Sequence, residues 1–294
     1  MRLFSLQILI LLIALVSCKG KADQQKESSK VVQLTDTIDQ SIFNSIRKIA
    51  QERSFSSLES ADRILEVGKM FLQTPYVGGT LEADGDEKLL VNLRELDCTT
   101  YLENVVVLSS ISKQNKFSEN DFLKKLKELR YRKGEIKDYT SRLHYFSDWI
   151  YENEQKGFVK NITSEVGGIE YNKEINFMSN HVDSYSALKA DSSLIVSIQD
   201  TENAINGRDL FYIPEDDIQG VEDKIHNGDL IAITTKIKGL DISHVGIAIH
   251  INDRLHLMHA SSLAKKVVIS DIPLADILKE SKLQSGIMVA RVVE

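Results

Sequence analysis

Apolar positions in the first half of the chain recur with the period of a helix. Spacings of three and four predict helical structure over 35–70, with a Ser-rich break near residue 55. The partly alternating segment 88–96 is predicted to be a strand. The same helical spacing predicts further helices over 98–111, 119–131, 140–155 and, more weakly, 183–205.

The last third of the chain changes to short β-rich segments. These are "DLIAITT", "HVGIAIHI", "RLHLMHA", "KVVIS" and "GIMVARVV", separated by turn residues and by one short helix over 273–282. Helices that come first and antiparallel strands that follow them predict an α+β fold, in which the helices pack on a C-terminal antiparallel sheet.

One hairpin brings two histidines together. Asn252-Asp253 is suited to a two-residue turn, which sets Gly246 opposite His259. His244 and His259 then share a face as diagonal neighbours, with roughly 7–8 Å between their backbone positions on adjacent strands. The small side chain at Gly246 predicts a space beside His244 that another element could enter.

The N-terminus has the pattern of an export signal. Arg2 precedes the apolar stretch "LFSLQILILLIALV", which is too short and too close to the start to be a spanning helix. The stretch ends in "LVSC", which resembles a bacterial lipoprotein signal with lipidation at Cys18. The expected organisation is a signal peptide over 1–17, a lipidated Cys18 with a flexible tether over 18–35, and a single catalytic domain over 36–294. The protein would then be exported, anchored to a membrane and periplasm-facing. An ordinary secretory signal is the alternative.

Composition narrows the function classes. The chain of 294 residues has 42% hydrophobic and 27% charged residues, which is typical of a globular protein. Its net charge of -7 and its lack of a long Lys/Arg run argue against nucleic-acid binding. No HExxH motif or paired-cysteine ligand set occurs, and His256 alternates away from His259, so no metal and no other cofactor is predicted.

Cys98 is the candidate nucleophile. A lipidated Cys18 leaves it without a partner for a disulfide. Asp97 is suited to cap the helix that Cys98 begins, and the helix N-terminus favours a thiolate and offers N–H groups to an oxyanion. A small inert thiol in the core is the other interpretation, and the residues alone leave both open. Glu103 in the next turn is expected to contribute only solubility or a local hydrogen bond.

The order of several motifs resembles the NlpC/p60-like cysteine peptidases and amidases. The motifs are "TPYVGG", "DCTT", "NGDLIAI", "SHVGIAI" and "LMHAS". The resemblance implies a papain-like core with Cys98 as nucleophile, His244 as general base and acid, and His259 as the residue that orients His244. It also implies that Tyr76 lines the active site and contributes to oxyanion or substrate binding.

The long middle region narrows the resemblance. Cys98 and His244 are 146 positions apart, and the intervening "SRLHYFSDWI" and "SNHVDSY" resemble the N-acetylmuramoyl-L-alanine amidase-like branch over residues 60 to 293. That branch implies a mostly helical insertion and hydrolysis of the amide between the muramic acid lactyl group and L-Ala in muropeptides, fragments of peptidoglycan.

Other interpretations remain open at this stage. The same scaffold could carry a D-gamma-glutamyl-diamino acid endopeptidase, a non-catalytic cell-wall-binding lipoprotein or, more remotely, an acyltransferase. Tyr145 and Trp149 could form a wall of the substrate cleft or a packed helix face. His181 could touch substrate or lie in solvent.

Overall fold

The helices of the first half follow the predicted periodicity. The computed structural model describes residues 34–83 and 85–293; the predicted signal peptide, Cys18 and the tether up to residue 33 lie outside the described residues. Leu34, which belongs to the predicted tether, is buried in the core. The first four helices are α1 (Thr37–Glu52), α2 (Ser60–Met70), α3 (Cys98–Ile111) and α4 (Glu119–Arg130).

The middle region is built from short elements. The longer helices are α5 (Phe146–Gln155) and α9 (Leu194–Asn206), and the last helix of the chain is α10 (Leu274–Glu280). Shorter helices lie between α5 and α9: α6 (Thr163–Val166), α7 (Phe177–Asn180) and α8 (Ser186–Ala190). This largely helical insertion has its own apolar cluster, in which Tyr145, Met178 and Ile198 are buried together.

The strands form one antiparallel sheet. They are β1 (Val159–Asn161), β2 (Ile169–Glu170), β3 (Phe211–Pro214), β4 (Leu230–Thr235), β5 (Ile242–Ile251), β6 (Arg254–Ser261), β7 (Lys266–Ile269) and β8 (Gln284–Val292). The order across the sheet is β2-β3-β8-β4-β5-β6-β7, and β1 pairs with β8. The predicted α+β class with a C-terminal antiparallel sheet is confirmed.

Both faces of the sheet are covered. Val245 and Ile247 share a buried cluster with Val105 of α3, whereas Ala248 and Leu257 share a second cluster with Leu274 of α10. Alternate residues of β5 therefore bury apolar surface on opposite sides, which fixes the register because a slip of one residue would exchange the two faces.

The β5–β6 hairpin has the predicted register. Ala248 pairs with Leu257 and Ile251 with Arg254. Asn252 and Asp253 have φ angles of 50° and 62°, as a type I′ turn requires. The sequence therefore determines the relative position of the two strands that carry His244 and His259.

Two predicted elements are wrong. Segment 88–96 contains no strand, because side chains satisfy its backbone: Asp39 accepts from Leu93 N, and Arg130 donates to Leu90 O. The helix predicted over 140–155 begins only at Phe146, after a 3₁₀ turn over Tyr139–Ser141. No helix within residues 34–83 and 85–293 is long and apolar enough to cross a membrane.

Candidate active site

Cys98 is the first residue of α3. The Asp97 carboxylate accepts a hydrogen bond from Thr100 N at 2.8 Å, and Asp97 N donates to Thr100 Oγ1 at 2.9 Å. This reciprocal pair is a capping box, which fixes where the helix begins. The backbone N–H of Cys98 lies in the first turn, where helix geometry offers it no intrahelical acceptor. The predicted cap is confirmed.

The thiol is neutral at ordinary pH. Although part of Cys98 reaches solvent, burial and, to a smaller extent, the charge of Asp97 raise the pKa of its thiol to about 11. Hydrogen bonds from Val245 and Thr99 oppose this shift but do not reverse it. The expectation of a thiolate stabilised by the helix N-terminus is therefore wrong for the unliganded protein, because desolvation and the neighbouring carboxylate outweigh the helix end.

His244 and His259 are in direct contact. The His244 Nε2 and His259 Nδ1 atoms are 2.5 Å apart, and the two rings meet edge to face at 86° with their centroids 4.8 Å apart. The prediction that these two histidines are neighbours across the hairpin is confirmed. One of the two nitrogens must donate and the other accept, so the pair shares a single proton between the rings.

Burial keeps both imidazoles neutral. It lowers the pKa of His244 to about 3, with His259 adding to the effect, and it lowers the pKa of His259 to about 4. If His244 Nε2 carries the shared proton, its Nδ1 is an acceptor that can take a proton from another group. This tautomer gives His244 the properties of a general base and His259 those of its orienting partner.

Acid is expected to destabilise the fold through this pair. Because both pKa values lie below the ordinary 6.5, the unfolded chain binds more protons than the folded protein as the pH falls from 6.5 toward 4. The stabilisation is fully present above pH 6.5 and is lost through that window, by at most about 1.4 kcal/mol per pH unit for each histidine. Urea unfolding from pH 7 to pH 4 should show a steeper loss in the wild type than in His244→Asn/His259→Asn. Equal slopes would contradict the shifts, and His181→Asn, at an exposed site, is the matched control.

Tyr76 lies close to the thiol. Its N–H donates to Lys265 O at 2.9 Å, and it forms an isolated bridge with Leu96, two residues before Cys98. Burial raises the pKa of the Tyr76 hydroxyl, and electrostatic coupling to the nearby Cys98 and Asp97 raises it further. The sequence expectation that Tyr76 accompanies Cys98 therefore agrees with the geometry.

The space beside Gly246 is occupied differently from the prediction. A Cβ atom on Gly246 would lie 2.8 Å from Leu257 and 3.0 Å from His259 Cβ, so residues of β6 fill that side. α3 packs on the opposite, Val245 face of β5. The thiol is instead beside the Val245 backbone, next in sequence to His244. In the described part of the chain no hydrogen bond joins the thiol to either imidazole, and such contacts commonly tighten only when substrate binds.

Three other candidates are not part of this group. Trp149 is fully buried and donates from Nε1 to Glu103 at 3.1 Å, while the Tyr145 hydroxyl donates to the buried Glu202 at 2.6 Å. Both are packed core residues, not the wall of an open cleft. His181 is exposed and stacks on Phe177.

Helix α3, which begins at Cys98, also contributes to a buried ion pair that the sequence pattern did not predict. Arg130 Nε donates to Glu103 Oε2 at 2.6 Å, and both side chains are 2% exposed. The expectation that Glu103 contributes only solubility or a local hydrogen bond is wrong, because α4 and α5 cover this side of α3. A glutamate among the mainly apolar residues of α3 was the available signal, since an acidic residue on a buried helix requires a partner.

The described residues were also compared with the ligand sets that metal ions require. Among residues 34–83 and 85–293, no group of three or more His, Cys, Asp or Glu side chains is arranged to bind a metal ion. His256 Nδ1 is 2.8 Å from Ser270 O and is directed away from the His244–His259 pair, as the alternation of β6 predicts.

Known proteins provide the comparison. Residues 66–287 match the AmiA-like family model, described as N-acetylmuramoyl-L-alanine amidase-like. The fold is similar to an N-acetylmuramoyl-L-alanine amidase from Bacteroides uniformis, with a TM-score of 0.77 and 38% identity over 80% of this chain and 99% of that one. A Bacteroides fragilis protein provisionally named a xylanase has a TM-score of 0.74 and 39% identity over 77% and 99%.

A structure with lower sequence identity has a similar fold. A Legionella pneumophila protein has a TM-score of 0.67 and 26% identity over 87% of this chain and 96% of that one. No curated protein matches the sequence. The family model covers most of the chain and includes the segments that carry Tyr76, Cys98, His244 and His259. The chain therefore belongs to the N-acetylmuramoyl-L-alanine amidase-like family.

Proposed function

We propose that this protein hydrolyses the amide between the muramic acid lactyl group and L-Ala in muropeptides. The observation that carries the proposal is the contact between His244 and His259 on the strand pair beside Cys98, in a chain of an amidase-like family. Cys98 is the nucleophile, His244 the general base and acid, and His259 the orienting residue.

The first step begins from neutral groups. With His244 Nε2–H donating to His259 Nδ1, the free Nδ1 of His244 takes the proton of the Cys98 thiol as the sulfur attacks the amide carbonyl. Because the thiol pKa is raised and the imidazole pKa is lowered, proton transfer accompanies attack and does not precede it. His259 keeps its hydrogen bond to the imidazolium that forms.

The carbonyl oxygen becomes negative in this step. The Cys98 N–H at the start of α3 and the Tyr76 hydroxyl are the donors proposed to stabilise it. Burial suits this task, because the raised pKa of Tyr76 keeps its hydroxyl protonated and able to donate.

The amide bond then breaks, and the thioester that replaces it is hydrolysed. The C–N bond breaks, and His244 gives its proton to the departing L-Ala nitrogen, which leaves the lactyl group as a thioester on Cys98. His244 next removes a proton from water, the hydroxide attacks the thioester, and Cys98 regains its proton. The products are a sugar with a free lactyl carboxylate and a stem peptide with a free amino group.

The same proposal includes a papain-like core and a lipid anchor at the membrane. A cysteine at the start of a buried helix, packed on an antiparallel sheet that carries the histidines, supports a papain-like core of the NlpC/p60 type. The "LVSC" sequence supports a lipid anchor at Cys18, which would keep the enzyme at a membrane near its polymer.

The bond cleaved is tested with one defined muropeptide, a disaccharide that carries L-Ala-γ-D-Glu-diaminopimelate. Mass spectrometry should find the free disaccharide acid and the intact tripeptide. A disaccharide that retains L-Ala-D-Glu would instead identify the endopeptidase. Binding of the muropeptide without any product would identify a wall-binding lipoprotein, and either result would overturn the proposal.

The name of the Bacteroides fragilis protein suggests xylan hydrolysis as another function. That reaction fits the Cys98, His244 and His259 group less well than amide hydrolysis does. Glycosidases generally use two carboxylates that face the cleaved bond. Asp97, the carboxylate next to Cys98, is already engaged in the helix cap. Release of reducing sugar from xylan by this chain would favour that function over the amidase.

A further inference from the structure

Asp241 is a buried carboxyl group that the proposed mechanism does not use. It lies three residues before His244, immediately before β5, and is 1% exposed. One of its carboxyl oxygens accepts from Ser147 N at 2.8 Å, and the other accepts from Ile242 N at 2.7 Å. A polar group buried this deeply is costly without such bonds, so both of them hold the side chain in one orientation.

The bond to Ser147 caps helix α5 from a distant part of the chain. Ser147 is the second residue of α5, and the N–H groups of a first turn have no intrahelical acceptor. Among the described residues, Tyr145, which precedes the helix, supplies no side-chain cap. Asp241, 94 positions away in sequence, supplies the acceptor and thereby joins the start of β5 to the start of α5.

A β-bulge lies between this anchor and the proposed general base. Consecutive residues of β4 lie opposite His244 and Ile242, so Ser243 is an extra residue in β5. Bulges bend a strand and change the direction of the side chains beside them. The direction of the His244 ring therefore depends on how firmly the strand is held before the bulge.

The backbone of Asp241 also holds the strand at this point. Its carbonyl oxygen accepts from Thr235 N at 3.3 Å and from the Tyr171 hydroxyl at 3.2 Å. With the two bonds to the carboxyl group, these contacts join the start of β5 to β4, to α5 and to the segment that contains Tyr171. The backbone before the bulge is thus fixed from several sides.

Helix α5 connects this anchor to the helix that carries the nucleophile. Trp149, two residues after Ser147, donates from its indole Nε1 to Glu103 Oε1 at 3.1 Å. Glu103 belongs to α3, which begins at Cys98. The first turn of α5 is therefore bonded both to the strand that carries His244 and to the helix that carries Cys98.

We propose that Asp241 is a positioning residue: it fixes the start of β5 on α5 and thereby sets His244 relative to Cys98. The assignment rests on the proposed function, in which His244 transfers the protons. Asp241 acts through the backbone and not on the substrate. A displacement of about 1 Å in a reacting group can lower a rate about 100-fold, so the role affects the chemical step more than substrate binding.

Asp241→Asn tests this role with the intact chain. An amide group has one acceptor oxygen, so either Ser147 N or Ile242 N loses its partner. With the disaccharide-tripeptide as substrate, kcat should fall by about 10- to 100-fold while KM changes less than about twofold. Asp241→Ala, which removes both acceptors, should lower kcat further.

The matched control is a second buried aspartate. Asp229 is also 1% exposed, lies immediately before β4, and accepts from His226 N at 2.7 Å. Asp229→Asn should lower the Tm, as Asp241→Asn does, because each leaves a buried donor without an acceptor. It should keep kcat within about twofold of the wild type when both variants are assayed well below their Tm.

NMR of the histidine rings tests the positioning without turnover. Long-range 1H–15N spectra should show a hydrogen-bonded pair in the wild type, with the signals assigned by their loss in His244→Asn and His259→Asn. Asp241→Asn should change the ring nitrogen shifts of His244, because the contact depends on the direction of that ring. Asp229→Asn should leave these shifts unchanged.

Two results would each overturn the proposal: unchanged histidine spectra in Asp241→Asn, or a loss of kcat no larger than in Asp229→Asn. If Asp241→Asn does not fold, Trp149→Phe, which removes the bond from α5 to Glu103, decides the question, and a wild-type kcat would refute the role of α5. A wild-type chain that hydrolyses no muropeptide would refute the proposed function, whereas the histidine spectra would still test the role of Asp241.

Discussion

Cys98→Ala is expected to lower muropeptide hydrolysis by about 10⁴-fold or more, because no other group in the proposed mechanism can form the acyl intermediate. The change removes a single sulfur from a partly exposed position, so the fold should be retained. The initial rate of stem-peptide release, measured by chromatography at saturating substrate, gives the effect on kcat.

A control distinguishes loss of the nucleophile from damage to its helix. Ser110→Ala alters the other end of α3, in a side chain that is partly exposed, and should keep nearly full activity. If Cys98→Ala retained more than a tenth of the wild-type rate, the thiol would be a packing group, as the alternative interpretation of the sequence held.

Glu103→Gln is expected to have the largest effect on stability. It removes the charge that pairs with Arg130, whose Nε lies 2.6 Å from the carboxylate and whose Nη1 donates to Leu90 O at 2.5 Å. An uncompensated guanidinium would remain in the core, and breaking a buried pair in this way costs about 3–5 kcal/mol. Urea unfolding at pH 7 measures the loss.

The matched control is an exposed pair. Lys48 and Glu52 are 3.8 Å apart on α1 with side chains that are 73% and 61% exposed, so Glu52→Gln should cost less than about 1 kcal/mol. Replacing both members, as Glu103→Leu/Arg130→Met, should recover part of the stability lost in Glu103→Gln. A loss in Glu103→Gln no larger than in Glu52→Gln would contradict the assignment.

Local chemistry made much of the site predictable. Asp97 is a strong N-cap, which located the start of α3, and Asn252-Asp253 determines a turn whose register brings His244 to His259. Both features depend on residues close in sequence, where a single chain carries the necessary information.

Tertiary contacts decided what could not be predicted. The thiol pKa depends on packing around Cys98 that no local pattern reveals. The 88–96 segment resembles a strand, but Asp39 and Arg130, distant in sequence, satisfy its backbone instead. The missing side chain at Gly246 predicts space for another element beside His244, but Leu257 from the neighbouring strand fills that space.

The most direct test of the central claim is the mass of the covalent intermediate on Cys98. The wild-type chain is mixed with the disaccharide-tripeptide, quenched in acid within the first turnover and analysed by intact and peptide mass spectrometry. The proposed mechanism predicts an adduct on the peptide that contains Cys98, with the mass of the disaccharide lactyl acyl group and no amino acid. A first turnover that yields products with no adduct, or an adduct that still contains L-Ala and D-Glu, would contradict it.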